Sequence, residues 1–222
     1  MKRIKSSRII CPKSVVSGYL YFEDGKIVDI THRELPVDKT YDVGEHWVSP
    51  GFIDIHTHGG GGYSFAGTEE EIVSGCNFHL QFGTTSICPT ISGDRFDKMA
   101  NGVEQISYAM KNTDLKGNII GAHMEGPYLS AAQAGAQAPA HITPPVRTDY
   151  LPLLQQYGDV IARWTYAPEN DPEGQFADAL TEFGVVASAS CLTEALLQAV
   201  SLRRTGLCVS WCTMRAFLYQ RQ

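Results

Sequence analysis

His56 and His58 stand one residue apart at the end of the apolar run "PGFIDIHTH", and four glycines, 59–62, follow at once. On a strand the side chains of alternate residues project to one face, so these two imidazoles point the same way. Two imidazoles on one face can hold a single cation at about 2.0–2.1 Å each. Residues without side chains beside them let the backbone turn sharply and leave room next to an ion for a small ligand. A carboxylate is the natural third donor. Glu125 ends another apolar run, "GAHMEG", and an acid at a strand end must be paired, metal-bound or solvated, because burying it alone is expensive. His123 lies two residues earlier and shares that face; it is either a further ligand or a packed, hydrogen-bonded histidine. Glu169 in "YAPEND" ends one more run and serves either the same rim or its own loop. A dinucleotide-binding loop is the rival reading of the glycines, but the GxGxxG spacing is not met.

The elements that carry these residues alternate. "GFIDIHTH", "TTSICPTI", "NIIGAHMEG", "VIARWTYAPE" and "VVASAS" read as strands. Between them lie helical stretches. "TEEEIVSGCNFHLQFG" opens with Thr68 as N-cap and Glu71 completing a capping box. "DRFDKMANGVEQISYAMKN" follows, then a short helix in "TDYLPLLQQYG". "DPEGQFADALTEFG" has Asp171 as cap, Pro172 at its first position and Gly184 at its end. A loop rich in Ala, Gln and Pro runs from about 127 to 147. Strand–helix alternation predicts a parallel sheet or a (β/α) barrel, with the polar residues gathered at the carboxyl ends of the strands, where such folds place their sites. Residues 1–49 read differently, as β-structure, with a two-residue hairpin at Asp24-Gly25. Pro50-Gly51 punctuates the change.

Composition narrows the function classes. The 222 residues are 43% hydrophobic and 19% charged, with a formal net charge of −6 and no basic run. This argues against nucleic-acid or anionic-membrane binding. No apolar segment approaches the roughly 20 residues of a spanning helix, and the N-terminus has no stretch of signal length, so a cytoplasmic protein is expected. The six cysteines (11, 76, 88, 191, 208 and 212) are irregularly spaced, contain no CxxC pair and are expected to be free thiols.

"PGFIDIHTHGGGG", "GTTSICPTISG", "GAHMEGPYLSAAQAGAQ", "YAPEND" and "GVVASA" together resemble the N-acetylglucosamine-6-phosphate deacetylases of the amidohydrolase superfamily, over about residues 10–189. The first element indicates the superfamily; "HMEGPY" followed by "QAGAQ" is more specific. The resemblance implies a TIM-like barrel with a small β-sandwich built from both chain ends. It also implies hydrolysis of the acetamide of N-acetylglucosamine 6-phosphate to glucosamine 6-phosphate and acetate, and a divalent metal, zinc before iron or another ion. It makes Glu125, His56 and His58 metal ligands, and puts Ala136 and Gln137 at positions that contact the amino sugar. The expected partner is this small-molecule amino-sugar phosphate, with homodimers usual in the family. The expected class is α/β: a partial TIM-like (β/α) barrel (residues 50–189, the first five β/α units) with a β-sandwich portion in residues 1–49.

Residues 190–222 depart from the pattern. The family continues its fifth strand into Gly-His-Thr/Ser-Asp-Ala, adds a second histidine about twenty residues on, and later supplies a catalytic aspartate. Here no histidine follows His141 and the last aspartate is Asp178, so the chain has no catalytic residue at the family's position. A reading-frame shift near Ser190 would produce such a tail; an unrelated short helix is the alternative. The expectation is loose metal binding through three protein ligands and little turnover. Two rival functions remain: another metal-dependent amidohydrolase, against which "QAGAQ" argues, and a non-catalytic fragment.

Overall fold

A computed structural model describes residues 1–189 and the strand Cys208–Val209; the other residues of the atypical tail lie outside the described part. The chain divides into two compact units, residues 1–51 and 52–222.

The first unit is a five-stranded sheet. Its spine is the strand Lys2–Cys11, antiparallel to Ser14–Glu23 on one side, with Lys39–Asp42 and Trp47–Val48 running parallel to it; Lys26–Thr31 completes the sheet beyond Ser14–Glu23. The expected hairpin turns at Asp24 and Gly25, whose φ angles are 48° and 75°. Positive φ at both central residues gives the turn whose twist matches a two-residue hairpin. Ile9, Leu20 and Tyr21 are buried, and the Tyr21 hydroxyl donates to the Arg33 carbonyl at 3.0 Å and accepts from the Leu35 N–H at 2.7 Å.

The second unit is a curled parallel sheet covered by helices. Its strands lie side by side in chain order: Phe52–Thr57, Thr84–Ser92, Ala122–Glu125, Ile161–Tyr166, Val186–Ala189 and Cys208–Val209. Its curl is visible in Arg163 on the fourth of these. One guanidinium N–H reaches the carbonyl of Ile55 on the first strand at 3.4 Å, while another donates to Ser188 on the fifth at 2.6 Å. The helices Glu69–Leu80, Phe96–Ala109, Arg147–Tyr157 and Gln175–Glu182 bury Ile72, Met99, Val103, Ile106, Leu154, Phe176 and Leu180 against the sheet. The architecture is therefore α/β with a half-barrel and a β-rich N-terminal part.

Several local expectations need adjustment. Thr68 and Glu71 form the capping box as read. "NIIGAHMEG", however, is two strands: Asn118–Ile119 ends before Gly121, and the chain resumes at Ala122, whose N–H donates to the Val160 carbonyl at 2.7 Å. The helix Gln175–Glu182 begins later than Pro172 suggests, because Gly174 (φ 74°) interposes a left-handed turn. Asp171 still caps it from a distance, accepting the N–H groups of Phe176 and Ala177 at 3.1 and 3.0 Å. The first barrel strand is apolar without being buried: Phe52 and Ile53 are 65% and 67% exposed. Among the described residues this strand pairs on one side only, with Thr84–Ser92. At the far end Val186–Ala189 is paired by Cys208–Val209. Among the described residues, the near edge of this parallel sheet is therefore an exposed one.

Cys11, Cys76 and Cys88 are free thiols, and burial pushes Cys76 and Cys88 up to about 12, far above the range of reactive thiolates. Among the described residues, no helix is long and apolar enough to cross a membrane.

Candidate metal centre

Two strand ends supply the donor atoms. His56 and His58 come from the end of the Phe52–Thr57 strand and the residue after it; Glu125 is the last residue of the Ala122–Glu125 strand. Between them runs Thr84–Ser92, which pairs with both. The Thr90 hydroxyl accepts the Thr57 N–H at 3.1 Å and meets His123 Nδ1 at 3.1 Å, tying the three strands together beneath the rim.

Above that tie the donor atoms converge. His56 Nε2 lies 3.3 Å from Glu125 Oε1, and His58 Nε2 lies 3.3 Å from Glu125 Oε2. One ligand atom from each of the three residues can be chosen so that all fall within 4.8 Å of one another. Two donors on a tetrahedral ion with bonds of 2.0–2.1 Å stand about 3.3–3.4 Å apart. A charge-assisted N–H···O bond would be shorter, about 2.7–2.9 Å. The spacing thus suits an ion between the groups better than a proton. Glu125 has 14% of its side chain exposed. Burial would raise its carboxyl, but the facing His56 and His58 outweigh it and hold Glu125 well below the usual carboxylate range. Hydrogen bonding to Glu125 in turn raises His58, against a smaller opposing effect of burial.

The neighbours fix orientation. Ser92 Oγ lies 2.9 Å from His58 Nδ1, which leaves Nε2 for the site. A metal-bound histidine ordinarily has its second ring nitrogen held in this way. The glycine loop packs as tightly as its composition suggests. A Cβ on Gly59, whose φ is 155°, would lie 2.1 Å from the Tyr63 carbonyl oxygen, so the loop closes on itself only without a side chain there. The Gly59 carbonyl is also 3.0 Å from His79 Nε2 on the first helix, which anchors the turn.

The remaining candidates fall elsewhere. His123 is buried, with both nitrogens engaged: Nδ1 by Thr90, Nε2 by the Thr165 hydroxyl at 2.7 Å. It is the packed, hydrogen-bonded histidine of the two readings. Glu169 sits in the turn Pro168–Asn170, outside the cluster of donor atoms. Ala136 lies in an exposed turn of the 127–147 loop. Gln137 touches the site directly, donating from Nε2 to Glu125 Oε2 at 2.9 Å and accepting the Gly93 N–H at 3.0 Å. Sequence reasoning missed the roles of Ser92 and Gly93. Ser92 had a signal, since it follows Thr90 by two residues and so shares its face.

Burial, with the nearby charges of Arg163 and His56 adding to it, pushes the His123 imidazole down from 6.5 to about 2. Below about pH 6.5 the unfolded chain takes up a proton that the folded chain refuses, so stability falls as pH falls. The slope is about 1.4 kcal/mol per pH unit for one such group. Urea unfolding between pH 7 and 5 should show this slope in excess of that of the non-titrating His123→Asn. Equal slopes would refute the buried neutral histidine.

No protein-family model matches the chain, but individual proteins do. It is 29% identical over 191 residues to the N-acetylglucosamine-6-phosphate deacetylase of Homo sapiens, across 83% of this chain and 43% of the human one. It is 32% identical over 161 residues to the N-acetylgalactosamine-6-phosphate deacetylase of Shewanella sp. (strain ANA-3), across 70% of this chain and 40% of that one. In fold it matches the crystal structure of N-acetylglucosamine-6-phosphate deacetylase from Pasteurella multocida with a TM-score of 0.76 at 26% identity, covering 90% of this chain and 54% of that one. In sequence and fold this chain is similar to the N-acetylglucosamine-6-phosphate deacetylases. It spans less than half the length of these two curated deacetylases.

Proposed function

We propose that the rim formed by His56, His58 and Glu125 binds a divalent metal, zinc before iron or another ion, and belongs to the machinery that hydrolyses the acetamide of N-acetylglucosamine 6-phosphate. The observation that carries the metal reading is the 3.3 Å separation of each imidazole nitrogen from a Glu125 oxygen. The substrate class rests on the names of the relatives and on the "HMEGPY" and "QAGAQ" segments. When bound, such an ion supplies Lewis acidity, which activates water and polarises an amide carbonyl.

The chain's own residues do the positioning. His56 and His58 offer Nε2 atoms, Ser92 holds the His58 ring, and Glu125 balances the ion's charge. Delivering a proton to the leaving nitrogen needs a further acid–base group, worth about 10²–10⁴-fold. Among the 222 residues the last aspartate is Asp178. That observation favours a second reading for the 222-residue chain itself: metal binding with little turnover.

Zinc titration of the purified chain, followed by acetate release from the 6-phosphates of N-acetylglucosamine and N-acetylgalactosamine and from the unphosphorylated sugars, tests both. One ion per chain is expected, with turnover at least about 10²-fold below the ordinary 1–10³ per second. Ordinary turnover would refute the second reading. Absence of zinc binding would refute the first.

A further inference from the structure

The resemblance gives Gln137 to the sugar. The structure gives its amide two other partners, at the ends of two neighbouring strands. Nε2 donates to Glu125 Oε2 at 2.9 Å, and Oε1 accepts the Gly93 N–H at 3.0 Å. The backbone donor fixes which end of the amide faces which partner: with Oε1 held by an N–H, only the NH2 can face the carboxylate. Gly93 follows Ser92, whose hydroxyl meets His58 Nδ1. One side of the rim therefore holds both the carboxylate and an imidazole.

The same close approach leaves no room for a side chain at residue 93. A Cβ on Gly93 would stand 2.9 Å from Gln137 Oε1, closer than real Cβ atoms come, and 3.4 Å from the Glu125 carbonyl oxygen. The backbone at 93 thus leaves the space that the Gln137 amide occupies. Any side chain there displaces the end of Gln137 first, because that end is the flexible party.

From this geometry we infer that Gln137 is a positioning residue for the metal centre: braced on Gly93, it orients the Glu125 carboxylate for the ion. The inference deepens the metal reading proposed above and rests on it. Gln137 ties up one lone pair of Oε2 and stops the carboxylate rotating away from the two imidazoles. The 127–147 loop thereby sets how tightly the ion is held. Partners of this kind are typically worth about 10–100-fold in metal affinity.

The test is a double-mutant cycle in the 222-residue chain, read as zinc affinity by competition with a chromophoric chelator, with metal-free melting as a check on folding. Gln137→Ala and Gly93→Ala should each weaken zinc by about 10–100-fold. The double variant should be no weaker than the worse single, because Gly93→Ala has nothing left to push once Gln137 is truncated. A merely structural role would lower both melting temperatures and leave zinc affinity alone. Unchanged zinc affinity in either single variant, or losses that multiply in the double, would overturn the inference while leaving the metal site standing. A parent chain that binds no zinc would overturn the site and the inference with it.

Discussion

Replacing Glu125 with glutamine should cost the protein zinc affinity by more than the roughly 10–100-fold expected for a supporting partner. The substitution keeps size and shape but removes the charge that balances the ion. It also creates a conflict. The new amide must turn either an NH2 toward the imidazoles, where lone pairs are wanted, or toward Gln137 Nε2, which is itself a donor at 2.9 Å. His58 supplies a second readout in metal-free protein. Because hydrogen bonding to Glu125 is the main cause of its raised pKa, the variant's His58 should titrate lower in an NMR titration. Zinc affinity within tenfold of the parent would remove Glu125 from the site.

Trp164→Ala should be the largest stability defect in the half-barrel. The indole is fully buried and stacks on Tyr128 (centroids 5.8 Å apart, planes 10° apart) and Phe96, with Phe176 edge-on at 5.2 Å. Truncating such a ring typically costs about 3–5 kcal/mol. Its Nε1 also donates to the Gly126 carbonyl at 2.8 Å, one residue past Glu125, so the loss reaches the rim. Against a total stability of roughly 5–15 kcal/mol the alanine variant stands near unfolding, and Trp164→Phe provides the milder step. It keeps most of the stacking, loses the hydrogen bond, and should cost about 1–3 kcal/mol. Urea unfolding checks both. An alanine variant within 1 kcal/mol of the parent would show that the aromatic stack is not what holds this side of the barrel.

The parts of this site that were legible in the sequence are those governed by a short period. His56 and His58 share a face because strand side chains alternate, and Glu125 ends its strand where "EGP" stops the apolar run. Alternation could not tell that His123, two residues before Glu125, sits one layer deeper, where Thr90 and Thr165 take both nitrogens. Depth along a barrel strand depends on the register of its neighbours, and no local pattern carries it. The same holds for Gln137, whose partners are 12 and 44 positions away. Helix ends were legible where the cap is local, as at Thr68, and misplaced where a turn intervenes, as between Asp171 and Gln175. Apolar composition identified the Phe52–Thr57 strand without revealing its exposure, which depends on what pairs with its other edge.

The central claim is that three side chains from two strand ends hold one ion. Anomalous diffraction at the zinc edge from crystals of the zinc-loaded chain tests it most directly. The expected result is a single peak about 2.0–2.1 Å from Nε2 of His56, Nε2 of His58 and an oxygen of Glu125. A peak elsewhere, or none with all three side chains ordered and ion-free, would contradict it.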